Sequence, residues 1–300
     1  MRKTRYKGSA QYSPMPVPRV RFPELSYANV DDPPLKRGLI RILERIAGRD
    51  YFAPLYDQWR RETVPKGRPI IRPMLGLIGV ELEIVARQWP PQVPPDRAIV
   101  LVANHPFGIL DGIAAMTMAE DLGRPFRVLI NMELMKVPEV APFSLPVDFR
   151  DTRAAQATNL KTRDEAIRLL GEGTTIIVFP AGGVATAPTP FGRAVELPWK
   201  PFTARMVQAA RASVLPVYFE GQCGPLFHLA SRMSMTLRLS MFIREFRRSV
   251  GRRLVARAGD LVPFEALQHG KDRKALMAEL YDLVHVLEVQ REAPSAPKTK

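Results

Sequence analysis

A short segment of the sequence carries residue types that could perform acid–base chemistry. The segment reads Asn104-His105-Pro106-Phe107-Gly108-Ile109-Leu110-Asp111, and it follows the apolar run 99–103, which predicts a buried strand. Pro106 and Gly108 disfavour a regular helix, so a loop could bring Asp111 to the His105 imidazole. An imidazole paired with a carboxylate at the end of a strand is the arrangement of a histidine general base.

The pair taken alone does not define its own role. A histidine at the end of a strand is more often structural than catalytic, and a nearby aspartate arises often by chance. The apolar residues 109–122 predict a helix with Asp111 in its first turn, where a negative charge is favoured without any catalysis. The general-base interpretation therefore depends on other segments of the chain.

Two further strand segments follow. Residues 174–179 are β-branched or aromatic, and they lead into the glycine-rich turn Pro180-Ala181-Gly182-Gly183. Such a turn can aim backbone N–H groups at an anion or a developing oxyanion, although it is also an ordinary way to leave a strand. The run 212–219 predicts another short apolar strand after a helical stretch at 202–211.

Taken in order, these segments resemble the glycerophospholipid acyltransferase family, which includes the lysophosphatidate acyltransferases. The similarity lies in Asn-His with a following Asp at 104–111, Phe-Pro-x-Gly at 179–182 and Val-Leu-Pro-Val at 214–217. Residues 133–138 and 145–150 resemble the family's intermediate block, so the resemblance covers roughly residues 95–262. The residues around Asn104 are similar to a bacterial branch labelled hemolysin-like or ornithine-lipid-related.

This resemblance implies a fold, a reaction and a set of site residues. The fold would be α/β, with helices around a central twisted mixed β-sheet, and the protein would be an O-acyltransferase without a cofactor. The acyl donor would be acyl-CoA or acyl-carrier protein, and the acceptor the hydroxyl of lysophosphatidate, another lysophospholipid or lyso-ornithine lipid. His105 would be the general base and Asp111 its orienting partner. Substrate contacts are expected from Asn104, Arg150, Arg153, Phe179, Pro180, Gly182 and Gly183.

The chain departs from the family pattern in two places. Five residues separate His105 from Asp111, whereas the family usually has four. Ala181 stands where the family's turn usually has a glutamate. Related branches carry a glutamate two positions later, where this chain has Gly183. An alternative interpretation is therefore a catalytically decayed member that acts as a membrane-surface binding protein.

A net charge of +14 and a pI near 10.2 point to an anionic partner. Nucleic acid and an anionic membrane surface are the natural candidates. The sequence shows no zinc-finger spacing, recognition-helix signature or aromatic-basic RNA motif, so we expect no nucleic-acid partner. It also shows no secretory signal at 1–23 and no apolar run of about 20 residues. We therefore expect a cytoplasmic protein, peripheral at the inner face of the cell membrane.

Two consecutive basic amphipathic helices are predicted near the amino terminus. Asp31-Asp32-Pro33-Pro34 indicates a helix start with Asp at the cap and Pro at the first position. Apolar residues then recur at helical spacing, first at Leu35, Leu39, Ile42, Leu43 and Ile46, and then at Phe52, Leu55, Tyr56 and Trp59. Such helices lie in a membrane interface or cover the core of the protein, and both interpretations stay open. The stretch 231–257 has a similar mixture of apolar and basic residues.

The chain divides into four predicted regions. Residues 1–30 form a basic, proline-rich tail, 31–89 an amphipathic helical region, 90–292 the acyltransferase domain and 293–300 a short tail. Within the domain, strands and helices alternate, which favours an α/β layer fold. The predicted strands are 98–103, 126–130, 145–149, 174–179, 214–219 and 253–258.

Metal and disulfide chemistry are not expected. Cys223 is the single cysteine, which excludes an internal disulfide and a cysteine-rich metal site. The four histidines show no metal-ligand spacing. One of them, His285, falls in a late helical pattern that is typical of a surface residue.

Overall fold

An eight-stranded mixed β-sheet forms the centre of the protein. It is seen in a computed structural model that describes residues 2–6, 22–28, 33–233, 235–269 and 271–289. The strands are β1 (Arg2–Tyr6), β2 (Glu81–Ala86), β3 (Ile99–Ala103), β4 (Phe126–Asn131), β5 (Ser144–Val147), β6 (Thr175–Val178), β7 (Ser213–Phe219) and β8 (Arg253–Ala258).

Helices cover both faces of this sheet. In the described part of the chain they are α1 (Pro34–Ala47), α2 (Arg49–Glu62), α3 (Arg72–Leu77), α4 (Ile109–Asp121), α5 (Arg153–Gly171), α6 (Phe202–Ala210), α7 (Pro225–Met233), α8 (Met235–Arg248) and α9 (Arg273–Val289). None of these helices combines the length and the apolar character needed to span a membrane.

The strand order is β1-β2-β8-β7-β3-β6-β4-β5. The five strands from β7 to β5 run parallel to one another, whereas β8 is antiparallel to β7. The carboxyl ends of the five parallel strands therefore lie at one edge of the sheet. In open α/β sheets, ligands bind at this edge.

The sheet has a hydrophobic core on each side, because successive side chains of a strand point to opposite faces. In β3, Ile99, Leu101 and Ala103 pack with α2, α3 and α4, while Val100 and Val102 pack with α5, α6 and α9. All five side chains are fully buried. β3 is thus a fully buried central strand, and it places the residues that follow it at the carboxyl edge of the sheet.

The predicted α/β fold class is confirmed, and the six predicted strands form β3 to β8 within two residues of their expected bounds. Two strands were not predicted. β2 lies in the region expected to be helical, and β1 lies in the segment expected to be a tail. β2 was missed because a charged residue, Glu83, lies within it. In the structure this carboxylate is buried and accepts a hydrogen bond from Arg253 of β8 at 2.7 Å. Residues 7–21 and 290–300, including the predicted carboxyl-terminal tail, lie outside the described residues.

The two predicted amphipathic helices have different environments. In α2, Leu55, Tyr56 and Trp59 are buried in the core, so the covering interpretation is correct for α2 and the membrane interpretation is wrong for it. In α1, four apolar side chains of the predicted row are exposed, namely Leu35, Leu39, Ile42 and Ile46. α1 begins at Pro34 with Pro33 at the cap position, one residue later than predicted; Asp31 and Asp32 lie outside the described residues.

Candidate active site

His105 lies two residues beyond the carboxyl end of β3, and its peptide groups are fixed on both sides. Its N–H donates a hydrogen bond of 2.8 Å to Oε1 of Glu196, and its carbonyl accepts one of 2.9 Å from the N–H of Ala185. Both partners come from the long connection between β6 and α6. The position of the histidine therefore depends on residues far from it in sequence.

The structure brings His105 and Asp111 together despite the extra residue between them. Nδ1 of His105 and Oδ1 of Asp111 are 3.1 Å apart, and neither atom has a well-aligned hydrogen bond to any described residue. The other carboxylate oxygen, Oδ2, accepts a hydrogen bond of 2.8 Å from the N–H of Phe107. Asp111 is fully buried in the first turn of α4, where the helix dipole favours its charge. With Nδ1 facing Asp111, Nε2 is the nitrogen that is left to exchange a proton.

Phe179 joins the glycine-rich turn to the histidine. Its ring stacks on the His105 imidazole, with ring centroids 4.2 Å apart and an interplanar angle of 30°. This contact follows from the topology, because β3 and β6 are parallel neighbours and both residues lie just past the ends of their strands. The two segments that suggested chemistry in the sequence thus meet at the carboxyl edge of the sheet.

The turn after Phe179 presents a backbone N–H group without an acceptor. The N–H of Gly182 donates to the carbonyl of Phe179 at 2.9 Å, and Gly182 has a φ of 67°, which favours glycine. Pro180 is buried, and its carbonyl accepts a hydrogen bond from the N–H of Lys200 at 3.0 Å. The N–H of Gly183 has no acceptor among the described residues. Of the two predicted glycines, Gly183 therefore offers the available N–H group.

Two cations lie beside this turn. A Cβ atom at position 182 would be 3.3 Å from Nζ of Lys200, and one at position 183 would be 3.8 Å from Nη2 of Arg238. Neither cation has a carboxylate partner within the described part of the chain. Burial lowers the pKa of the Arg238 guanidinium, because the charged form is partly removed from water. An anion placed at the turn would compensate this loss of hydration.

The predicted Arg150 and Arg153 lie at the end of β5 and the start of α5. Arg150 makes a bidentate contact with Asp148, with Nη2–Oδ2 at 2.6 Å and Nε–Oδ1 at 2.9 Å. This contact holds the pKa of the Asp148 carboxyl below its usual value. Arg153 is exposed in the first turn of α5. A Cβ atom at Gly182 would lie 3.2 Å from Cε1 of the neighbouring Phe149, so this segment borders the turn. Phosphate binding by either arginine stays a prediction.

Asn104 connects two strands next to the histidine. Its side-chain oxygen accepts a hydrogen bond of 2.7 Å from the N–H of Phe219, and its amide nitrogen donates one of 3.0 Å to the carbonyl of the same residue. The residue is buried, and these bonds join the end of β3 to the end of β7. A substrate contact by Asn104 stays a prediction, while the structure gives this side chain a role in holding the sheet edge.

Sequence patterns did not reveal the residues that surround Glu196. Its Oε2 accepts a hydrogen bond of 3.1 Å from the indole N–H of Trp199 and lies 3.4 Å from Nε2 of His285. His285, predicted to be a surface residue, is partly exposed, and its ring also stacks on Tyr281. No motif marks Glu196, because its partners come together only through the folding of the connection between β6 and α6.

No cluster of histidine, cysteine and carboxylate side chains within the described residues could hold a metal ion. Cys223 is buried, and its thiol donates to the carbonyl of Pro106 at 3.4 Å. Burial raises the pKa of this thiol, which makes it a poor nucleophile. Among the titratable groups around the loop, the His105–Asp111 pair has the geometry best suited to acid–base chemistry.

Comparison with known proteins adds to this geometry. The family model described as "Acyltransferase" matches residues 89–252, more than half of the chain. The chain belongs to the acyltransferase family. It is also similar in structure to the 1-acyl-sn-glycerophosphate (LPA) acyltransferase PlsC from Thermotoga maritima, with 15% identity, a TM-score of 0.48 and coverage of 87% of this chain and 99% of that one. No curated protein sequence matches the chain.

The matched residues of this acyltransferase include the loop of His105, the turn at 180–183 and all of α8. The acyltransferase family predicted from the motifs is thus confirmed. Membership of the hemolysin-like or ornithine-lipid-related branch stays a prediction.

Proposed function

We propose that this acyltransferase moves a fatty acyl group from acyl-CoA or acyl-carrier protein to the hydroxyl of a lysolipid. The observation that carries the proposal is the contact of 3.1 Å between the partly exposed His105 and the fully buried Asp111. A thioester donor requires no nucleophilic side chain, because the acceptor hydroxyl can attack it directly. The acceptor is lysophosphatidate, another lysophospholipid or lyso-ornithine lipid.

In the proposed reaction, Nε2 of His105 takes the proton of the acceptor hydroxyl. The hydroxyl oxygen forms a bond to the thioester carbon, and the resulting tetrahedral intermediate collapses with cleavage of the carbon–sulfur bond. The leaving thiolate then takes the proton back from His105. Asp111 holds the ring in the required tautomer and stabilises the imidazolium between these steps, as the carboxylate does in a catalytic triad.

The turn supplies positive electrostatic potential beside the proposed base. The free N–H of Gly183 is a candidate donor to the oxyanion of the tetrahedral intermediate. Lys200 and Arg238 suit a phosphate, either of the acceptor head group or of CoA. Arg150 and Arg153 at the border of the turn are further candidates for the acceptor phosphate. An acidic carrier protein would also be attracted by the basic surface.

We further propose that the protein binds the anionic inner face of the cell membrane through α1. Leu35 and Ile46 are 90% and 79% exposed, and the exposed cations Arg41 and Arg45 lie on the same helix. Apolar side chains beside cations are the composition of an interfacial helix. α1 packs against α8, which carries Arg238 and so connects the helix to the turn. A lysolipid could then reach the site without leaving the surface.

The test is acyl transfer by purified protein, followed by mass spectrometry. Wild type and His105→Ala are each given acyl-CoA and acyl-carrier protein with a panel of the three acceptor classes. We expect wild type to form an acylated product with at least one pair and His105→Ala to form none above background. The product identifies the donor and the acceptor together.

Absence of product from wild type, with the protein folded and bound to vesicles, would contradict the proposed reaction. That result would instead support a decayed family member that acts as a membrane-surface binding protein. Equal product from wild type and His105→Ala would reject His105 as the base and leave the acyl transfer intact.

A further inference from the structure

Glu196 is a carboxylate that reaches the main chain of His105 from far along the sequence. Its Oε1 accepts the N–H of His105 at 2.8 Å, across 91 positions of sequence. Its side chain is 9% exposed, so the carboxylate is removed from most of the solvent. The glutamate expected at position 181 is absent, and Ala181 is fully buried. Glu196, on the connection between β6 and α6, is thus the carboxylate that contacts the main chain of His105.

The hydrogen bond from His105 to Glu196 satisfies a backbone N–H group that lies beyond the end of the strand. β3 ends at Ala103, so the N–H of His105 has no strand partner. A buried N–H without an acceptor costs free energy, and the loop would shift to satisfy it. Glu196 supplies that acceptor, while Ala185 satisfies the carbonyl of the same residue at 2.9 Å. The peptide groups on both sides of the His105 Cα are thus fixed.

Glu196 is itself held by two other groups. The indole N–H of Trp199 donates to its Oε2 at 3.1 Å, and Nε2 of His285 on α9 lies 3.4 Å from the same oxygen. The connection is further tied to α9 by the ion pair between Arg193 and Glu288 at 2.6 Å. The carboxylate thus sits between the histidine loop and α9 and cannot turn away from the His105 N–H without breaking several contacts.

Given the acyl transfer proposed above, we propose that Glu196 is a positioning residue for His105. Glu196 contacts the main chain of His105 and not its imidazole, so it would act by fixing the position of Nε2. A general base must be held within hydrogen-bond reach of the proton it takes, and a displacement of about 1 Å can cost about 100-fold in rate. The effect of losing Glu196 therefore falls on turnover more than on substrate binding.

The experiment compares Glu196→Ala with Glu196→Gln in steady-state kinetics, using the donor and acceptor pair that wild type accepts. In Glu196→Ala we expect kcat to fall by about 10-fold to 100-fold, with KM within about threefold of wild type. In Glu196→Gln the amide nitrogen cannot accept the indole N–H of Trp199, but the amide oxygen can still accept the His105 N–H, so we expect kcat within about threefold of wild type.

Glu279 provides a matched control. Its carboxylate also accepts hydrogen bonds from backbone N–H groups, those of Gln268 at 2.8 Å and His269 at 3.0 Å, and it lies 3.2 Å from Nδ1 of the His269 ring. Glu279→Ala thus removes the same kinds of contact away from His105. We expect it to lower the melting temperature about as much as Glu196→Ala does, with kcat unchanged.

The outcomes separate the two proposals. Wild type without product rejects the acyl transfer before any variant is compared. With an active wild type, a kcat for Glu196→Ala no lower than that of Glu279→Ala overturns the positioning role, as does a Glu196→Gln variant as slow as Glu196→Ala. If Glu196→Ala does not fold, Glu196→Asp decides: its shorter side chain should lower kcat by about tenfold, and an unchanged kcat overturns the role.

Discussion

The loop after β3 and helix α1 break the usual distribution of side chains in opposite ways. The loop leads to a buried charge, since Asp111 in the first turn of α4 is fully inside the protein, while α1 exposes a row of apolar residues in which Leu35 is 90% exposed. A buried carboxylate needs a partner and an exposed apolar row needs a cover. In the loop the partner is His105, at 3.1 Å. For α1 we propose that the cover is lipid. The two departures predict two separable activities, turnover and surface binding.

The contrast between α1 and α2 shows why exposure is the informative property. Both helices have 14 residues and both combine apolar and basic side chains. Trp59 of α2 is 1% exposed and donates its indole N–H to the carbonyl of Ile70 at 2.6 Å, whereas Ile46 of α1 is 79% exposed. Periodicity is the same in both, so only the packed structure separates a core helix from a candidate membrane helix.

The largest effect is expected where the buried charge is removed. Asp111→Asn should lower kcat by about 100-fold to 10,000-fold, because the amide stabilises the imidazolium poorly and favours the wrong ring tautomer. Steady-state kinetics give kcat, and vesicle sedimentation gives the surface affinity, which we expect to stay at the wild-type value. An equal loss of both would show that Asp111 is structural and would remove the distinction between the two regions.

The second effect concerns the exposed row. Replacing Leu35, Leu39, Ile42 and Ile46 by serine should weaken binding to anionic vesicles by about 100-fold or more, since each buried side chain of this size contributes roughly 1.5–3 kcal/mol. Turnover of a monomeric short-chain lysolipid should stay close to wild type. Vesicle sedimentation and the soluble assay measure the two quantities on the same preparations.

A pair of single substitutions tests whether vesicle binding depends on α1 or falls when any exposed leucine is replaced. Leu39 of α1 and Leu160 of α5 are 51% and 50% exposed. We expect Leu39→Ser to weaken vesicle binding and Leu160→Ser to leave it unchanged. Similar behaviour of the two variants would argue that α1 is not the docking helix.

A smaller effect is expected from packing around the loop. Gly221 has a φ of 113°, and a Cβ atom there would lie 2.7 Å from Cζ of Phe107, whose N–H donates to Asp111. Gly221→Ala should destabilise the fold by more than about 1 kcal/mol and should lower kcat. Thermal unfolding and kinetics measure the two losses. Unchanged kcat in a destabilised variant would show that the loop tolerates displacement of Phe107.

The smallest effect concerns a buried polar group outside the pair. His228 is fully buried and accepts the N–H of Ala187 on Nδ1 at 3.2 Å, and burial lowers its pKa from the usual 6.5. The unfolded chain therefore binds a proton at a higher pH than the folded one, so stability falls as pH drops below about 6.5. His228→Gln should show a smaller fall in melting temperature between about pH 7.5 and about pH 5.5. A fall as large as that of wild type would exclude His228 as a source of acid sensitivity.

Features defined by neighbouring residues could be predicted from the sequence, whereas contacts between residues far apart along the chain could not. Six strands and the His105–Asp111 pair follow from short patterns, because the residues that define each of them are neighbours along the chain. β2 was missed because the partner of Glu83, Arg253, is 170 positions away. Glu196 was missed for the same reason, as it meets His105 across 91 positions. The environment of α1 could not be predicted, because it depends on how α1 packs against α8, and the apolar periodicity of α1 carries no information on that packing.

The most direct measurement is the turnover of His105→Ala with the donor and acceptor pair that wild type uses. The variant should remain folded by thermal unfolding and should bind vesicles like wild type. We expect its kcat to be at least about 1,000-fold below that of wild type, since the proton acceptor is missing. A kcat within about tenfold of wild type would show that the loop after β3 does not carry the chemistry and would contradict the assignment of the base.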